Sequence, residues 1–109
     1  MPSTPTHPRR GDVYLAGLDK PRPVIVLSVD ALNRYSLDVC VLPITTKEHA
    51  QFSMRVPIKA GDGGLDFDCW VKCDQVTTLE KNYLKKRLGT ISSASLKQIE
   101  EQVKTALGL

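Results

Sequence analysis

Two short segments of this 109-residue chain place side chains suited to phosphate chemistry at the ends of apolar runs. Arg22 stands between Pro21 and Pro23, directly before Val24, Ile25 and Val26. The proline that follows disfavours the helical region for Arg22 and holds its backbone extended. An arginine held in this way offers a planar fork of donors that fits two phosphate oxygens. Thr45 and Thr46 follow Pro43 and Ile44 at the end of another apolar run, and their hydroxyls can donate to a further phosphate oxygen. By residue type alone, the same segments also read as a solvated loop arginine and a Thr-Thr turn. The chemistry they would serve is the holding of a phosphate group and the stabilisation of charge on its oxygens.

Other chemistries lack their residues. His7, in the N-terminal segment, and His49, in a loop, are the only histidines, which argues against a nuclease built on paired histidines. No glycine-rich phosphate loop or zinc-ligand spacing is present. Cys40, Cys69 and Cys73 make an odd count, read as small apolar residues in a reducing compartment. Asp62, Asp66 and Asp68 offer oxygens to a hard cation, but no glutamate closes the loop, and a solvated hairpin loop is the better reading. The expectation is therefore no metal and no cofactor. Arginine as a residue type keeps its proton at ordinary pH and makes a poor general base. Asp74 is a conceivable base, with a surface carboxylate paired to a lysine as the alternative. Thr46, Gln75, Asp74, Lys72 and Arg34 are candidates to contact bases or phosphates of a nucleic acid, against plain solvated charge for Lys72 and Arg34. Trp70 and Phe52 are aromatic enough to stack bases, but in so small a core packing is the favoured reading.

These residues need strands to hold them. Residues 12–18 read as a first strand. Lys20, Pro21, Arg22 and Pro23 read as a connector, because two prolines so close oppose regular structure. Residues 24–28 form a continuous apolar run, expected as a central strand buried on both faces. Residues 30–35 suggest a turn or short helix. Leu37, Val39 and Val41 alternate with polar neighbours in a third strand ending at Pro43. Phe52, Met54, Val56 and Ile58 alternate likewise in a fourth, and residues 68–76 give a fifth, after a flexible loop over 61–66. Leu96, Ile99, Val103 and Leu107 fall on one helical face, with Ser92 or Ser93 as cap and Gly108 as stop. The expected fold class is mostly β (α+β): a small, strongly curved antiparallel sheet or barrel with a C-terminal helix.

A proline-rich tail over residues 1–8 and one domain over 9–109 fit this length. The hydrophobic share of 41% and charged share of 25% are those of a soluble globular chain. A net charge of +3 permits a nucleic-acid partner without requiring one. No apolar run approaches the roughly 20 residues of a membrane span, nor does the N-terminus carry a secretory apolar stretch, so a cytoplasmic protein is expected.

Taken in order, several segments resemble the MazF/PemK toxins. RRGDVYLAGL is similar to their first strand, PRPVIVLS to the strand that follows, DALNR to the next turn, and VLPITT to the third-strand ending. VKCDQVTTLEKNYLKKRLGTIS resembles their late D-Q-[IV] region and the lead into the last helix, and ALGL their close. The resemblance covers nearly everything from Arg9 to Leu109. It implies an SH3-like, CcdB/PemK-like barrel of about five to seven strands. It implies the toxin of a toxin–antitoxin system: a homodimeric, metal-independent, sequence-specific endoribonuclease that cuts single-stranded RNA to 2′,3′-cyclic phosphate and 5′-hydroxyl ends. It also implies a cognate antitoxin lying in the RNA groove. By motif position Arg22 matches the family's catalytic arginine and Thr45 its catalytic threonine or serine. One departure is clear. The first loop shrinks to Asp19, Lys20 and Pro21, so the glutamate of longer-loop members has no counterpart and the RNA groove is expected to be more open. Two alternatives differ in function: a CcdB-like poison of DNA gyrase, whose kind carries an aromatic C-terminal tail that this chain lacks, and a catalytically inactive RNA-binding homologue.

Overall fold

Alternation along residues 24–26 sends Ile25 to one side of a sheet and Val24 and Val26 to the other, and all three are buried. The computed structural model describes residues 7–17, 19–47 and 54–109. Its elements are β1 (Asp12–Gly17), β2 (Pro21–Val26), α1 (Asp30–Tyr35), β3 (Asp38–Thr45), β4 (Arg55–Ile58), β5 (Cys69–Lys72), β6 (Thr77–Glu80), β7 (Leu84–Thr90) and α2 (Ser93–Leu107). The strands pair antiparallel in the order β4-β5-β3-β2-β1-β7. β5 pairs with the C-terminal end of β3, and β6 with its N-terminal end. The expected mostly-β fold with a C-terminal helix is what forms.

Each face of the sheet carries a core. Ile25 joins Val13, Leu42, Ile44, Val56 and Val71 on the face covered by Ile99 and Val103 of α2. Val24 and Val26 join Ala16, Val39 and Val41 on the other. Ser92 caps α2 by accepting a hydrogen bond from the Ser95 backbone N–H at 3.2 Å, and Gly108 ends it in the left-handed region at φ 72°. Leu107, expected on the apolar stripe, is exposed in the last turn of α2.

Several expected boundaries move. β2 begins at Pro21, so the segment read as a connector is strand. The reason lies in hydrogen-bond parity. Leu27 donates to Cys40 on the β3 side and Val26 accepts from Gly11 on the β1 side, so the missing N–H groups of Pro21 and Pro23 fall on the β3 side. There the pairing with β3 starts only at Val24, and no donor is required. β3 runs on to Thr45 and β4 starts at Arg55, while Phe52 and His49 lie outside the described residues. The expected fifth strand breaks after Lys72, where the Gln75 N–H turns back to the Lys72 carbonyl at 3.2 Å. β6 and β7 show no apolar alternation because they are mostly exposed. At the other end His7 is half-buried and Pro8 buried, so packing reaches back to residue 7; residues 1–6 lie outside the described residues.

Among the described residues the terminal strands β4 and β7 do not pair. A one-turn helix, Asp62–Gly64, fills the seam by laying its backbone on β7. A Cβ at Gly64 (φ 75°) would stand 2.0 Å from the Leu88 carbonyl oxygen, and one at Gly89 2.7 Å from Gly63 backbone atoms. Only glycines permit that approach.

Candidate active site

β2 and β3 pair Val24 with Pro43, Ile25 with Leu42 and Val26 with Val41. Carried two residues further, that register sets Arg22 opposite Thr45. Both stand at strand ends beyond the buried core, and both line a cavity of about 390 Å³ with Thr46, Lys47, Asp66, Phe67 and Lys72. Arg22 is exposed, and its guanidinium makes no hydrogen bond or ion pair among the described residues. The Thr45 Oγ1 accepts from the Lys47 backbone N–H at 3.1 Å, and the Lys47 carbonyl accepts from Arg55 Nη1 at 2.5 Å. This fixes the Thr45 hydroxyl oxygen and leaves its proton to donate. Among the described residues three cations, Arg22, Lys47 and Lys72, face a single carboxylate, Asp66, so this lining attracts an anion.

The opposite wall is the segment from Gly61 to Asp68; its part over 61–66, expected as a flexible loop, is pinned at several points. Gly61 N–H donates to the Leu65 carbonyl at 2.6 Å, Leu65 is buried, and Asp68 accepts from the Ala60 N–H at 2.8 Å. Asp62 accepts from the Ser92 N–H at 2.8 Å, the Ser92 hydroxyl at 3.0 Å and the Ser95 hydroxyl at 2.7 Å. Burial opposes ionisation of Asp62, but the Ser95 and Ser92 hydrogen bonds outweigh it and hold the carboxyl below the usual range. Asp62 and Asp68 thus serve as tethers.

Cys69 also lines the cavity, yet burial first, and then the charges of Asp68 and Asp62, push its thiol upward. Burial lifts Cys73 to about 11. Neither is a nucleophile at neutral pH. Trp70 is half-buried in β5, opposite Thr45.

Of the residues singled out in the sequence, Arg22, Thr45, Thr46 and Lys72 meet in this cavity. Asp74 and Gln75 do not line it; they are exposed on the turn that follows Lys72. Asp74 makes no ion pair among the described residues. Arg34 lies on α1 against its neighbour Tyr35, with its guanidinium carbon 5.2 Å from the ring centroid. Lys81 Nζ donates to its carbonyl near the start of β3. Seven strand steps, roughly 23 Å, separate that end from Thr45. Sequence reasoning missed Lys47 and Phe67. Lys47 was detectable as a cation two residues past Thr45, whereas a lone aromatic beside GDGGLD carries no periodic signal.

A half-closed antiparallel barrel carries, in one basic cavity, an arginine unpartnered among the described residues and an oriented hydroxyl, an arrangement suited to holding a phosphate group. The chain belongs to the family described as PemK-like, MazF-like toxin of type II toxin-antitoxin system, whose model matches residues 9–107. It is 36% identical to "Endoribonuclease MazF" of Staphylococcus saprophyticus over 93% of this chain and 92% of that protein. Among solved structures it is similar to "Endoribonuclease from Mycobacterial species", at 32% identity and a TM-score of 0.81, covering 94% of this chain and 92% of that one. It is likewise similar to "Endoribonuclease in complex with its cognate antitoxin from Mycobacterial species", at 31% identity and a TM-score of 0.82, covering 95% and 96%.

Proposed function

We propose that the cavity between β2, β3 and the Gly61–Asp68 segment cuts single-stranded RNA without a metal, with Arg22 and Thr45 as its catalytic residues. Family membership makes the chain a toxin-type endoribonuclease of a toxin–antitoxin system. The observation that carries the site is that one cavity brings together a guanidinium unpartnered among the described residues and a hydroxyl whose oxygen is already held.

The 2′-oxygen bonds to the adjacent phosphorus as the bond from phosphorus to the 5′-oxygen breaks. The 2′-hydroxyl gives up its proton and the leaving 5′-oxygen gains one, which yields a 2′,3′-cyclic phosphate and a 5′-hydroxyl. Negative charge grows on the phosphorane oxygens during this step. The Arg22 fork and the Thr45 proton act where it grows, so they lower the barrier more than they tighten ground-state binding. Lys72 and Thr46 hold the flanking backbone, while Asp74 and Gln75 reach nucleotides beyond the cavity. Arg34 falls outside this groove.

Two partners follow. A second copy covers the exposed apolar side chains Val29, Leu32, Tyr35 and Leu37 on and around α1, away from the cavity. A cognate antitoxin, present in the solved complex of a mycobacterial relative, lies over the basic groove and blocks RNA. The protein works in the cytoplasm, where its RNA substrate is.

The test incubates the purified protein with a long RNA, with and without excess EDTA, and maps the new ends. Cleavage at unchanged rate in EDTA, with cyclic phosphate termini, is expected. Activity lost in EDTA and restored by magnesium would sink the mechanism. No cleavage of any RNA would favour the inactive RNA-binding alternative.

A further inference from the structure

Phe67 is 71% exposed, an unfavourable position for an aromatic ring. Local flexibility does not put it there. Leu65 is buried on one side, and Asp68 holds the Ala60 N–H on the other. The ring is presented to solvent by a fixed backbone. It also stands between two depressions. The cavity with Arg22 and Thr45 lies on one side, and a second, of about 690 Å³ and bounded by Ala60 and Asp68, lies on the other. Thr46, Asp66 and Phe67 belong to both. Asp66 is exposed, and its carboxylate accepts no hydrogen bond among the described residues. A bare carboxylate in a groove for polyanions weakens binding unless it meets a donor there.

We propose that Phe67 and Asp66 form a base-reading subsite next to the scissile phosphate: the ring stacks one base, and the carboxylate accepts hydrogen bonds from that base's Watson–Crick edge. This rests on the RNA-cutting assignment of the neighbouring cavity and deepens it. A rigid exposed ring is the usual platform for an unstacked single-stranded base. A carboxylate accepts only, so it selects edges that donate. Guanine presents both a ring N–H and an exocyclic amine to the two oxygens. Cytosine and adenine present one amine, and uracil one imide N–H. The subsite therefore prefers guanine.

The experiment reads binding and cleavage separately. Short single-stranded RNAs with every 2′-hydroxyl methylated cannot be cut, and 2-aminopurine is placed at each position in turn. With the parent protein, 2-aminopurine fluorescence should be quenched at one position next to the cleavage site. Phe67→Ala should abolish that quenching and weaken binding about 5- to 100-fold, while Phe67→Trp should restore both. Asp66→Asn should level the discrimination between guanine and the other bases at that position, read as the ratio of kcat/KM between RNAs that differ only in that base. A thermal melt of each variant controls for folding. Equal quenching in Phe67→Ala overturns the stacking role. A saturated rate that collapses in Asp66→Asn for every base overturns base reading and makes Asp66 a proton acceptor. Failure of the RNA-cutting assignment looks different: unmodified RNA stays intact with the parent protein, while the quenching assay still decides the subsite.

Discussion

The two walls of the cavity are built by opposite means. Arg22 and Thr45 stand on adjacent strands, each the continuation of a run whose inner residues are buried. Their placement follows from strand register, which side-chain packing on both faces enforces. The facing wall, with Asp66 and Phe67, has no strand at all. It is held by hydrogen bonds that Asp62 accepts from Ser92 and Ser95 at the start of α2, and by glycine backbone against β7. The strand wall should therefore tolerate loss of the Arg22 or Thr45 side chain without unfolding. The loop wall should fail through its supports.

The largest effect tests the strand wall. Arg22→Ala and Arg22→Lys should each lose cleavage by on the order of a hundredfold or more, by analogy with removal of an oxyanion donor. RNA affinity and the melting temperature should change little. Single-turnover cleavage, a binding assay and a melt on the same variants decide it. A parent-like rate shows the site is elsewhere, and a collapsed melting temperature shows Arg22 to be structural.

The loop wall should respond in the reverse sense. Gly64→Ala puts a Cβ into the Leu88 carbonyl and forces a side chain into φ 75°. It should cost about 2–4 kcal/mol in denaturant unfolding. Unchanged stability would mean that the Asp62–Gly64 turn does not close the barrel. Asp62→Asn is milder, on the order of 1–2 kcal/mol at neutral pH. The Asp62 carboxyl is held below its ordinary value when folded, so its contribution is complete above the carboxylate range and is lost as pH falls through the folded value. The stability gap between parent and variant should therefore narrow on acidification. A gap constant down to strongly acid pH would contradict the tether.

The smallest effect sharpens the boundary between the walls. Lys72→Ala should leave the saturated rate nearly intact and lower the slope of log affinity against log salt by about 0.7, the signature of one lost phosphate contact on a single strand. An unchanged slope would place Lys72 outside the RNA path.

Sequence alone determined the strand wall and most of the fold class. Apolar continuity at residues 24–26 and alternation through β3 are local signals, because each side chain's burial is repeated by its neighbours at a fixed period. Arg22 and Thr45 were legible as residues at the ends of those runs, and the ordered motifs carried the family. Three things were legible only in the tertiary structure. Pro21 and Pro23 became strand because their missing donors face a side where β3 offers no partner, a matter of pairing rather than propensity. β6 and β7 escaped notice because mostly exposed strands carry no apolar period. Phe67 and Asp66 gained meaning when a glycine turn, docked on a strand more than twenty residues later in the chain, brought them across from Arg22. That contact joins residues distant in sequence, and a local pattern carries no record of it.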